Sequence, residues 1–522
     1  MRAFATVALI AVASILGACA QLPKDYHVEP STAISGTKDT GLGLRSLAAR
    51  QGNLEQTRLI PILDGVDAFY ARVALANSAE RSLDVQYFLW HKDLTGQILL
   101  KFLLEAADRG VRVRMLLDDL DNQALDREFY ALDTHPNFSI RLFNPFATRG
   151  FKYVDFLNDS RRLKRRMHNK SFTADNQYTI IGGRNIGDEY FDAKEDSNFY
   201  DFDAVATGPV VQQVSAEFDR YWNHELAVPV YAFDHNTESA EDLEDVRKEL
   251  AAFRQSHKDS RYANDARDAE IADALRGEMF PAFTGEAQAI FDDPDKGLGL
   301  PREQYVSMQD HLRPHLENLE RELILISPYF VPTGGMAEWL VGEVERGIDV
   351  GVITNSYHST DTALVHAAYS RYRKQLLAGG VNLYELKPSS RKDRQSSVAF
   401  DSEASLHSKV FIFDRKTVFI GSLNLDPFSL NINTEMGILF HSPELAAQMM
   451  KGLDKSRLQN VYELELVKSP PESKGEFTVY TWNVEWIERV DGEVVRHNSE
   501  PGVGVWERIK LFFQGLVPES LT

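Results

Sequence analysis

At 522 residues, the chain is long enough for roughly three to four domains of ordinary size. With 43% hydrophobic and 26% charged residues it can pack a core and is not a disordered chain. Its one cysteine, Cys19, excludes an intramolecular disulfide framework, a cysteine-based zinc site and an iron–sulfur cluster held by this chain alone. A net charge of −20 argues against wrapping nucleic acid by bulk charge, although it leaves room for a local basic site.

Met1-Arg2 is a short positive start, and Ala3 to Leu16 form an apolar run of signal-peptide length. The run ends in Leu16-Gly17-Ala18-Cys19, which resembles a bacterial lipobox and puts the lone cysteine at the lipidation position. Residues 1–18 are therefore expected to be a lipoprotein signal, and Cys19 the lipidated residue of an envelope protein. No Asp follows Cys19. The expected location is the periplasmic side, at the outer membrane of a Gram-negative host. Residues 19–57 read as a linker. No later apolar run approaches the ~18 residues of a membrane span.

The chain is internally duplicated. Glu80-Arg81-Ser82-Leu83 returns as Glu320-Arg321-Glu322-Leu323, Arg109-Gly110-Val111 as Arg346-Gly347-Ile348, and His168-Asn169-Lys170 as His407-Ser408-Lys409, at offsets of 240, 237 and 239. Leu83–Trp90 reads as a strand, Gln97–Asp108 as a helix stopped at Gly110, and Val111–Leu117 as a second strand. The second half repeats this with Leu323–Ser327, Met336–Glu345 and Ile348–Thr354. Strand–helix–strand predicts a parallel crossover and a sheet covered by helices, an α/β fold. The halves are placed at 58–233 and 291–469, with a charged helical connector at 234–290. The tail, 470–522, carries a hairpin around Asp491-Gly492 and an apolar helical face formed by Trp506, Ile509, Phe512, Phe513 and Leu516. That face is expected to pack on the catalytic body, with membrane contact as the alternative.

Of 14 histidines, only His168 and His407 head H-x-K-x4-D. Asp175 completes the first copy and Gly182-Gly183-Arg184-Asn185 follows. Asp414 completes the second and Gly421-Ser422-Leu423-Asn424 follows. The adjacent letters His91-Lys92-Asp93 are a decoy with the wrong spacing.

This pattern resembles the HKD signature of the phospholipase D superfamily. The resemblance implies two tandem α/β/α domains with mixed sheets, related by a pseudo-twofold axis and sharing one active site. On a strand, residues i and i+2 face one way, so His168 with Lys170 and His407 with Lys409 should project together. Asp175 and Asp414 fall outside those pairs and are expected to be structural, with Gly182, Gly183, Gly421 and Ser422 shaping the motif. Two halves face to face would surround a phosphodiester with two histidines, two lysines, Asn185 and Asn424, and would need no metal or other cofactor. The lysines and amides would hold phosphoryl oxygens. One imidazole would attack phosphorus while the other moves the proton. By resemblance, His168 is the nucleophile, Glu435 holds His168, and Asp201 holds His407 across the axis.

Arg161, Arg162, Lys164, Arg165 and Arg166 precede the first motif, and Lys387, Arg391, Lys392 and Arg394 precede the second. These are expected to focus positive potential at the mouth. Asp84-Val85-Gln86-Tyr87-Phe88-Leu89-Trp90 and Arg165-Arg166-Met167-His168-Asn169-Lys170-Ser171-Phe172 resemble bacterial cardiolipin synthases, the C type most of all. The resemblance implies phosphatidyl transfer on phosphatidylglycerol, with or without phosphatidylethanolamine, and no nucleic-acid partner. The readings left open are a hydrolytic phospholipase D releasing phosphatidic acid, a nuclease or other phosphodiesterase, and a non-enzymatic lipoprotein.

Overall fold

The computed structural model describes residues 22–51, 53–149, 152–194, 198–233, 240–260, 262, 281–388, 404–457, 460–469, 472–474, 477–479, 481–490 and 493–514. The leader, Cys19, Arg391, Lys392, Arg394, Asp491-Gly492 and Leu516 lie outside the described residues.

The first half contributes β1 (Thr57–Ile62), β2 (Ser82–Tyr87), β3 (Arg112–Asp118), β4 (Phe138–Phe143), β5 (Ser171–Ala174), β6 (Tyr178–Gly182), β7 (Asn198–Tyr200), β8 (Asp203–Thr207) and β9 (Ala227–Pro229). The second contributes β10 (Phe283–Phe291), β11 (Glu322–Ile326), β12 (Asp349–Asn355), β13 (Asn382–Leu386), β14 (Ala404–Leu406), β15 (Val410–Phe413), β16 (Thr417–Gly421), β17 (Met436–His441) and β18 (Val461–Lys468). The pairing order β9-β4-β3-β2-β5-β6-β8-β1 in the first half is repeated by β18-β13-β12-β11-β15-β16-β17-β10 in the second. Within each, the three strands of the crossover units are parallel and the rest antiparallel, so both sheets are mixed. The halves join edge to edge where β1 pairs antiparallel with β10.

Helices Gly65–Ser78, Leu94–Asp108 and Asp126–Asp133 cover the outer face of the first sheet with a core that includes Phe69, Leu99, Phe129, Val85 and Val113. Met308–Glu317, Gly334–Glu345 and Ala363–Ser370 do the same for the second. A third core is shared. Leu59, Ile181, Val210 and Val214 from the first half meet Ile324, Ile412, Ile438 and Leu445 from the second. Both predicted helix stops work by the same device. Gly110 and Gly347 take φ of +93° and +95°, where a side chain would be strained. Each lets the following N–H return to its helix, Val111 to Ala106 and Ile348 to Glu343.

Three differences from the sequence reading have physical causes. The first strand of the second sheet begins at Phe283, inside the stretch read as connector, because Phe283–Gly285 pairs with β1 and Glu286–Phe291 with β17. The connector helix Ala240–His257 is more than a charged link between the halves. It buries Leu243, Val246 and Leu250 in the outer core of the first half. The tail also extends the second sheet. After the small ladder of β19 (Glu472–Lys474) and β20 (Phe477–Val479), β21 (Trp482–Val490) pairs with β18, and β22 (Glu493–His497) pairs with β21.

Candidate active site

Neither H-x-K segment lies within a strand. Residues 168–170 precede β5 and 407–409 sit between β14 and β15. Their ladders stop because the backbone turns to the other half. His168 N–H donates to Thr434 O at 2.9 Å, and Thr434 N–H donates to Arg166 O at 3.0 Å. Symmetrically, β14 pairs parallel with β7, and His407 N–H donates to Tyr200 O at 2.8 Å. The stretch before each histidine is thus laced to the stretch before the other half's acid.

That lacing delivers the acids. His168 Nδ1 lies 2.8 Å from Glu435 Oε2, and His407 Nδ1 lies 2.6 Å from Asp201 Oδ2. All four residues are buried. With both Nδ1 atoms engaged, each ring offers Nε2. The two imidazoles and the two ammonium groups are close enough to act on one another electrostatically. Lys170 Nζ donates to His168 O at 2.7 Å, and Lys409 Nζ donates to His407 O. Phe88 packs edge-on to His168, with ring centres 5.0 Å apart, and Tyr190 and Phe199 enclose His407.

Electrostatics follow from burial. Burial, then Lys170 and Lys409, hold His168 well below the usual imidazole range. Burial and Lys409 lower His407, with Asp201 opposing. Burial lowers Lys409 to about 8 and puts Lys170 well below an ordinary lysine. Burial raises Glu435 to about 7, with Lys170 and Ser422 opposing. Burial also acts on Asp201, but His407, Lys409 and Arg184 outweigh it and hold that carboxyl below the ordinary range.

The rest of each motif divides into shaping and contact groups. Asp175 accepts the N–H groups of Glu80, Arg81 and Ser82, and Asp414 those of Glu320, Arg321 and Glu322. Each turns the chain at positive φ, +51° and +53°. Gly183 backs onto Asp201, where a Cβ would lie 2.3 Å from Oδ1. Gly182 and Gly421 abut the opposing strand backbone, at Phe202 O and Met436 O. Ser422 Oγ donates to Glu435 Oε2. Asn185 Nδ2 donates to Tyr190 Oη at 2.9 Å. Asn424 is buried, and its Oδ1 has no hydrogen-bond partner among the described residues.

The sequence reading missed one pair. Asp118 and Asn355, at equivalent strand ends, hold the residues before the histidines. Asp118 Oδ2 accepts Met167 N–H at 2.8 Å, and Asn355 exchanges two 2.9 Å hydrogen bonds with Leu406. Their offset of 237, that of Arg109 and Arg346, was the available signal. The basic stretch before His168 is also less free than predicted. Arg166 is buried against Asp118 and Asn144 O, Arg162 binds Asn144 and Asp159, and Arg165 reaches Lys296 O. Arg161 and Lys164 stay exposed. His91, Lys92 and Asp93 have structural partners in Glu189, Glu128 and the N-terminus of Leu94–Asp108.

Comparison with known proteins agrees with this geometry. The family profile described as "Cardiolipin synthase, PLD-like domain" matches residues 73–222 and 312–456. The chain is 37% identical to cardiolipin synthase C of Escherichia coli over 467 residues, covering 89% of this chain and 95% of that one. It is 32% identical to an uncharacterized Helicobacter pylori protein, covering 90% of each. Among solved structures, phosphatidylserine synthase of Haemophilus influenzae superposes with a TM-score of 0.54 at 14% identity, over 80% of this chain and 92% of that one, and so shares its fold.

Proposed function

The chain belongs to the cardiolipin synthase family of the phospholipase D superfamily, as a phosphatidyltransferase acting on phospholipids, and we propose that it forms cardiolipin from phosphatidylglycerol by a two-step exchange through a phosphohistidine, without a metal. The observation that carries this reading is the crossed pair His168–Glu435 and His407–Asp201, which leaves two Nε2 atoms and two lysines in one buried site.

His168 Nε2 attacks phosphorus. The P–N bond forms, the P–O bond to the donor's alcohol breaks, and His407 gives that oxygen its proton. In the second step the acceptor hydroxyl gives its proton to His407 and attacks phosphorus. The P–N bond then breaks. Lys170 and Lys409 neutralise the phosphoryl oxygens as charge builds. The role of His168 is supported by its low proton affinity, which keeps it neutral and nucleophilic. His407 as proton carrier is supported by the ionised Asp201, which steadies an imidazolium. We propose phosphatidylglycerol as donor, phosphatidylglycerol or phosphatidylethanolamine as second substrate, and a Cys19 anchor on the periplasmic side of the envelope, the last supported by the Leu16–Cys19 pattern.

Labelled phosphatidylglycerol, alone or with phosphatidylethanolamine, is expected to yield cardiolipin, and His407→Ala to yield none. Phosphatidic acid as the sole product would replace this reading with the hydrolytic one. Metabolic labelling with a radioactive fatty acid should be lost in Cys19→Ala.

A further inference from the structure

We infer that the helix Val505–Gln514 is a membrane-docking element whose exposed apolar face seats the mouth of the active site on a phospholipid bilayer. The inference rests on the proposed lipid chemistry and adds to it a surface outside the catalytic residues.

Trp506 is 83% exposed and Ile509 42% exposed, one helical turn apart. At Trp506 and Ile509 the expected packing of this face on the catalytic body is therefore not what the structure shows. A bare tryptophan beside an isoleucine suits the bilayer interface, where an amphipathic helix sinks its apolar side ~5–10 Å into the headgroup region. Arg508 and Lys510 are exposed on the same helix, as an anionic lipid surface requires.

The segment leading into the helix is anchored to the second half. Just before the helix, the partly buried Glu500 accepts two hydrogen bonds from Arg373, at 2.9 and 3.0 Å, and lies 2.6 Å from His366 Nε2. Arg373 is itself fixed by Glu385, which also accepts from Trp486. The helix then packs on Ala363–Ser370. Two residues ahead of that helix, the exposed Asp361 binds Tyr329 Oη at 2.6 Å and lies close enough to His407 to raise its proton affinity. The helix that bears the bare face is thus tied, through Ala363–Ser370, to the segment that carries Asp361 toward His407. The phosphodiester of a phospholipid sits at a bilayer surface, so a site that takes it works against the bilayer, and an exposed apolar face on a helix tied to that site suits contact with it.

The test is tryptophan quenching of the full-length chain by phosphatidylglycerol vesicles brominated in their acyl chains, wild type against Trp506→Phe. Wild type should lose emission that the variant does not. In parallel, Trp506→Ser/Ile509→Ser should transfer about tenfold more slowly on vesicles, as expected for ~1.5 kcal/mol of lost apolar insertion, and at the wild-type rate on short-chain lipid dispersed as monomers. Equal quenching of wild type and Trp506→Phe would overturn the inference. So would a wild-type dimer that Trp506→Ser dissolves without any vesicle quenching, since a second copy would then own the face. If the wild type transfers nothing on either substrate, the proposed reaction fails while the quenching still decides the docking face.

Discussion

His407 faces Asp201, a carboxylate held in its ionised form by His407, Lys409 and Arg184, whereas His168 faces Glu435, whose carboxyl burial lifts to about 7. The construction around the two is otherwise the same: a histidine laced to the opposite half, a lysine on its carbonyl, a structural aspartate at positive φ. A visible difference lies at the second motif position. Gly183 leaves no room for a side chain beside Asp201, and Ser422 fills the equivalent place with a hydroxyl on Glu435. A duplicated sequence has thus acquired two electrostatic settings. Both rings are held below the usual imidazole range, but at His407 the ionised Asp201 opposes that shift and steadies an imidazolium formed during proton transfer, while His168, beside a carboxyl lifted to about 7, is held well below the range.

The largest losses are expected at the two histidines. Both His168→Ala and His407→Ala should lose on the order of 10³-fold or more in transfer rate. With a donor that leaves without a proton, such as a phosphatidyl nitrophenol, His407→Ala should release nitrophenol and accumulate phosphohistidine on His168. Covalent label on His407 in the His168→Ala enzyme would reverse the assignment. The acids should differ in the same sense. Asp201→Asn removes a charge that supports the imidazolium and should cost roughly 10²–10³-fold, while Glu435→Gln, replacing a group already near half-protonation at neutral pH, should cost roughly tenfold. Equal losses would erase the asymmetry.

The structural aspartates test the halves away from the chemistry. Asp175 is fully buried and Asp414 only partly so. Deleting the carboxylate that receives three N–H groups should therefore cost ~3 kcal/mol in Asp175→Ala and ~2 kcal/mol in Asp414→Ala, read by denaturant unfolding. The smallest effect is a shift in the pH profile. His168 lies below its ordinary value, so it is neutral at neutrality and the acid limb should fall below pH 6.5. Lys409 loses its proton through about pH 8, so activity should decline there as pH rises. Lys409→Arg should move that alkaline limb upward, since guanidinium stays charged.

The chemistry was legible in the sequence because it is carried by spacing. Two intact motifs pointed to His168, His407, Lys170, Lys409, Asn185, Asn424, Asp175 and Asp414, and the family resemblance to Asp201 and Glu435. Less legible was whatever depends on which face meets what. Arg166 reads like Lys164 in a charge count, yet one is buried against Asp118 and the other is in solvent. Phe283–Phe291 does alternate, with exposed Thr284, Glu286 and Gln288, but its covered side is mostly the small Gly285, Ala287 and Ala289, poor strand formers alone, and it is committed by pairing with β1 and β17. The placing of His168 and Lys170 outside any ladder could not be read locally, since it is the other half that captures their backbone.

The meeting of β1 and β10 bears on how such a protein is made. Thr57–Leu59 and Phe283–Gly285 are the rims along which the two sheets close. Either half synthesised alone would present an open rim able to template further strands, a route to self-aggregation. Such a half could escape only by pairing with a copy of itself, and its catalytic centre would then exist only above some protein concentration. Joining both halves in one chain replaces that dependence with an effective concentration of the order of millimolar set by the linkage, so that the enzyme is complete at a single molecule.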